Sequence, residues 1–135
     1  MDWMERKAPT LEDLEVLADK AFARLPSAFR ARCKGLVIRV EDFPDEDVIR
    51  EMELETPFDI LGLYHGVSIA YEEAGGAPRL PDMVFLYRRP LLDYWVEFEE
   101  TLGALVTHVL VHEIGHHFGL SDEDMHTIEE ATSDR

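Results

Sequence analysis

With 135 residues, 46% of them hydrophobic, the chain has enough apolar material for one core, so a single domain spanning residues 1–135 is expected. Its 29 acidic and 13 basic residues leave a net charge of −16, a field that repels phosphate backbones and anionic lipid surfaces. That argues against nucleic-acid and membrane partners and favours basic peptides or metal cations, while a lone cysteine (Cys33) and the lack of a leader-like or membrane-length apolar run point to a cytoplasmic protein without an internal disulfide.

In chain order, residues 1–9 read as polar and loose. Thr10 with Asp13 reads as an amino-terminal helix cap, and Leu11, Leu14, Leu17, Ala18, Ala21, Phe22 and Leu25 recur at three- and four-residue spacing up to Pro26. An amphipathic helix packed on the core follows. Residues 36–40, after Gly35, are rich in β-branched side chains and predict a strand, placed centrally in the sheet. A short acidic helix is expected from Pro44, in its first turn, to about Leu54. Residues 61–64 and 67–71 predict two hairpin strands about a His65-Gly66 turn, and the Gly- and Pro-containing stretch 72–81 predicts a loop. Residues 83–87 predict another strand. From about Leu91 a single helix is expected, with an apolar stripe of Leu102, Leu105, Val106, Val109 and Leu110 and with Glu97, Glu99 and Glu100 toward its amino end, the favourable end of the dipole for anions. A final helix is expected from about Ser121. The fold class is thus α+β, a small mixed sheet of about three or four strands packed against helices.

The long helix carries a motif with chemistry in it. His112 and His116 are four apart, so on a helix they lie about 40° apart on one face, one turn above the other, where both imidazoles can bind one metal ion. Glu113 then lies beside such an ion without reaching it, in the place of a base for an activated water. With 6 His and 17 Glu, a shuffled chain gives this four-position pattern roughly three times in a hundred; requiring Gly119 and then Asp122 or a His there lowers that to roughly three in ten thousand. The spacing has a mechanical reason, because a third donor reaches the same ion only if the helix stops and the chain reverses. Gly119 can adopt the left-handed conformation that does this, delivering Asp122 toward the pair.

His112 to Asp122 resembles the zincin metallopeptidases, nearest to the metzincin-like branch in which Asp is the third zinc ligand, as in snapalysin-type proteases. Together with residues 58–66 and 80–88, it resembles the small bacterial minimal zincins over about residues 57–125. The resemblance implies a zincin-like fold with the metal-binding helix near the carboxyl end, Zn2+ held by His112, His116 and Asp122, and hydrolysis of a peptide or protein substrate with Glu113 as general base. It implies an extended substrate along a sheet edge, either the arm 67–71 or the strand 83–87. In one respect the chain departs from metzincins: they carry a Met-containing turn well downstream of the third ligand, and the only methionine after Asp122 is Met125.

Other roles for these residues are open at this point. Asp122 can instead be a first-turn acid beside a Ser121–Asp124 capping pair, leaving His126 or Glu129 as the third donor. His108, one turn before His112, reads as a hydrogen-bonded core or supporting histidine, and His117, about 100° from His116, as no ligand. Tyr64, His65 and Tyr87 are candidate oxyanion stabilisers. Two other functions remain in play: a non-catalytic zinc- or protein-binding module, and a zinc-dependent RNA hydrolase. The second is disfavoured by the −16 charge and by Glu113 itself.

Overall fold

The computed structural model describes residues 2–66, 82–120, 123–124 and 126–127. Helix α1 (Leu11–Ala23) starts at the capping box foreseen: the Thr10 hydroxyl accepts from the Asp13 amide and the Asp13 carboxylate accepts from the Thr10 amide. Its buried stripe is Leu14, Ala18 and Ala21. The one-turn helix α2 (Ser27–Ala31) was not expected and has no side-chain cap; Phe29 meets Phe118 edge to face at 5.1 Å.

Strand β1 (Val37–Glu41) follows, then α3 (Glu46–Glu51), which is shorter than expected. Its cap is Asp45, whose carboxylate accepts from the Val48 amide, so Pro44 stands before the helix rather than in its first turn. Strand β2 (Gly62–His65) and strand β3 (Met83–Tyr87) complete the described sheet, whose order is β1-β3-β2, with β1 parallel and β2 antiparallel to β3. The centre is therefore β3, not β1. The second hairpin arm, 67–71, lies outside the described residues.

Helix α4 (Arg88–Glu97) continues directly from β3, with Pro90 in its first turn, where the missing amide costs little. Arg88 secures the junction through the Pro9 carbonyl and the Asp42 carboxylate. The single long helix expected from Leu91 is in fact two. Phe98 is extended, and the Thr101 hydroxyl accepts from the Ala104 amide to start α5 (Leu102–Phe118). Glu97 thus closes α4, while Glu99 and Glu100 precede the amino end of α5. The described residues near the carboxyl end, Glu123, Asp124, His126 and Thr127, are helical, as expected there.

The α+β architecture is a small mixed sheet with α1 packed on β1 and α5, and α5 packed on β2 and β3. Val84 and Leu86 alternate along β3 with no exposed surface and join Leu14, Leu105, Val106 and Leu110 in one core. Cys33 is buried in the same cluster, which pushes its thiol up to about 11. Among the described residues no helix is long and apolar enough to cross a membrane.

Candidate metal centre

The carboxyl half of α5 rests on β2 because β2 has a glycine there. A Cβ on Gly62 would stand 2.7 Å from Val109 Cγ1 and 3.0 Å from the Phe85 carbonyl, so only a residue without one lets strand and helix approach this closely. By strand alternation Tyr64 faces α5 as Gly62 does, and its backbone amide donates to the Glu113 carboxylate.

His112 and His116 stand as the spacing foretold, ring centroids 4.9 Å apart and planes inclined at 65°. The His116 side chain is half exposed, and its Nδ1 lies 3.4 Å from Glu113 Oε1. Glu113 is buried, which raises its carboxyl above the ordinary range; the His112 ring and the Tyr64 amide pull it partly back. One turn beyond, Gly119 takes the left-handed conformation (φ 71°, ψ 33°) and the chain reverses. The Gly119 amide donates to the His116 carbonyl and the Leu120 amide to that of Gly115, the paired closure of a Schellman turn.

The third donor is a different matter. Asp122 and the alternative Glu129 lie outside the described residues, and His126 is described and exposed. Among the described residues no three His, Cys, Asp or Glu side chains are grouped to hold a metal. The two imidazoles nonetheless fit zinc in donor chemistry, since both are nitrogen donors on one open helix face with a carboxylate beside them.

His117 points into the protein and is no partner of the pair. It is 4% exposed, with Nδ1 3.1 Å from Asp82 Oδ2 and 3.3 Å from the Tyr64 hydroxyl, so it ties α5 to β2 and to the residue preceding β3. That engages Tyr64 away from the pair. Tyr87 is buried, and burial followed by the charges of Glu41, Asp45 and Glu113 raises its phenol; His65 alternates to the face of β2 away from α5. None of the three stands ready as an oxyanion stabiliser. His108, expected in the core or in support, is exposed on a cleft wall, because the stripe it shares with His112 faces outward.

That cleft, about 280 Å³, has Asp59, Ile60, Leu61 and Gly62 on one side and His108, Val109, His112 and Glu113 on the other. The first wall was not anticipated. Its signals in the sequence were an isolated glycine within a strand and its place in the stretch 58–66 that carries the family resemblance. The substrate edge expected at 83–87 is excluded, since β3 is paired on both sides; among the described residues β2 is the outer strand beside the motif.

The model of one protein family, the zincin-like metallopeptidases, matches residues 33–132, from the turn before β1 through the motif and beyond it. The chain belongs to this family. No curated protein matches it.

Proposed function

We propose that the chain is a zinc-dependent peptidase that hydrolyses peptide bonds of a peptide or protein substrate, with Glu113 as general base and His112, His116 and Asp122 as the metal-holding residues. The observation that carries this reading is the paired imidazoles beside a buried carboxylate at the edge of an open cleft. Bound zinc would supply Lewis acidity toward a peptide carbonyl and the attacking water. Glu113 takes the proton released as that water attacks and hands it to the departing amine nitrogen, so protons balance over the cycle. The Tyr64 amide holds one side of the Glu113 carboxylate, orienting it for both transfers. As an anionic donor, Asp122 would leave the water less acidified than a third histidine would, which increases the demand on Glu113. A cytoplasmic setting belongs to the same reading.

The test is Glu113→Gln, which keeps size and hydrogen bonding but cannot take a proton. Zinc content should stay near one equivalent while cleavage of an extended-peptide library falls about 10²- to 10⁴-fold. His112→Ala should lose the zinc, and Asp122→Asn should weaken zinc binding far more than His126→Ala or Glu129→Gln. Undiminished cleavage in Glu113→Gln would refute the mechanism. A zinc-loaded wild type inactive on every peptide would favour the non-catalytic binding module.

A further inference from the structure

Asp59 sits at the rim of the cleft in an unusual state for a surface acid. Its Oδ2 accepts from the Glu55 and Thr56 amides and its Oδ1 from the Thr56 hydroxyl, each at 3.0 Å. These bonds lock the rotamer, and those from Thr56, backbone first, hold the carboxyl below its ordinary range. Of the four lone-pair positions on a carboxylate, three are taken and one on Oδ1 is left. Among the described residues no cation pairs with Asp59. A fixed, uncompensated negative charge therefore stands at the cleft mouth and costs little further entropy to engage.

Behind it Ile60, Leu61 and Val109 give the space an apolar strip, beside His108, His112 and Glu113 on the helix wall. At about 280 Å³ the space falls below the roughly 300–1,000 Å³ of pockets for whole drug-sized ligands. A side chain with a methylene stem and a cationic head matches that apolar strip with an acidic rim. An acidic one would meet both Asp59 and Glu113.

We propose that this cleft is a subsite for a lysine or arginine side chain of an extended peptide, with Asp59 as the residue that recognises its charge. The assignment rests on the peptidase reading and narrows its substrate class to basic peptides. The chain's net charge of −16 draws such peptides toward the surface in general, and Asp59 localises the preference beside the motif.

The experiment uses zinc-loaded Glu113→Gln protein, so that peptides bind without turnover. Lysine, norleucine and glutamate are walked in turn through each position of an otherwise Ala/Ser hexapeptide, and affinity is read by fluorescence anisotropy. At one position the lysine peptide should bind about three- to fivefold more tightly than the norleucine peptide, the worth of an exposed ion pair, with glutamate weakest. Adding Asp59→Asn keeps the amide-accepting oxygen, and should leave zinc content unchanged while closing the gap to within about twofold. High salt should also narrow it. Adding Glu12→Gln instead removes an equal charge from the exposed first turn of α1 and should leave the gap intact. A gap that survives Asp59→Asn, narrows equally with Glu12→Gln, or appears at no position overturns the subsite. Lysine selectivity that depends on Asp59, found with a wild type that cleaves nothing, would uphold the subsite and sink the peptidase reading; cleavage without basic preference would do the reverse.

Discussion

Gly62 is the residue on which the approach of β2 to α5 turns. Replacing it with Ala drives a methyl into Val109 Cγ1 at 2.7 Å and the Phe85 carbonyl at 3.0 Å, and the carbonyl belongs to the central strand and cannot swing aside. Overpacking of this kind costs about 1–3 kcal/mol, against about 0.4–1 kcal/mol gained because Ala stiffens the unfolded chain. A net loss is therefore expected in denaturant unfolding. Because the clash is shared with one side chain, Gly62→Ala and Val109→Ala should couple by at least about 0.5 kcal/mol in a double-mutant cycle; strictly additive costs would show that the two do not meet. At this scale the sequence spoke clearly for His112, Glu113 and His116, whose relation is fixed by helical pitch. It assigned no role to Asp59, whose place beside the motif is set by packing across some fifty positions and by no local spacing.

Among the elements, α5 decides the site, and its two ends do different work. Thr101 starts it and Gly119 stops it in a left-handed turn. Thr101→Ala should cost about 1 kcal/mol of stability and leave zinc affinity alone. Gly119→Ala puts a Cβ where L-residues pay about 1–2 kcal/mol, and it also redirects the chain that leads to Asp122. It should lower both stability and zinc affinity, and Gly119→Asn, which tolerates this conformation, should recover most of each. Zinc titration beside thermal melts checks this, and equal zinc affinity in Gly119→Ala and Thr101→Ala would detach the turn from the third donor. The stop at Gly119 was legible because a glycine at that spacing has a local reason. The start was not, since the apolar stripe runs on while a single threonine competes for the Ala104 amide.

For the whole molecule, the proposed zinc site links metal binding to folding. Among the described residues the metal pair sits on a helix already packed into the core, so zinc should stabilise a folded protein rather than create the fold. Zinc at a hundred times its dissociation constant adds about 2.7 kcal/mol, which for a domain of this size raises the melting midpoint by roughly 10 °C. Chelator should reverse the shift, and His112→Ala should show none. A metal-free protein already unfolded at room temperature would instead make the site a folding staple.

What the sequence alone determined was local: the cap at Thr10, a β-branched strand expected at 36–40 and found one residue later, the two imidazoles on one helix face, the carboxylate next to them and the glycine that turns the chain. Each follows from backbone pitch or from a side chain reaching its own neighbours within a few residues. The order β1-β3-β2, the seating of β2 under α5, the burial of His117 against Asp82 and the wall supplied by Asp59 came only from the tertiary structure. They depend on backbone ladders and packing between segments tens of residues apart, where several pairings satisfy the same alternation and only the filling of one core selects among them.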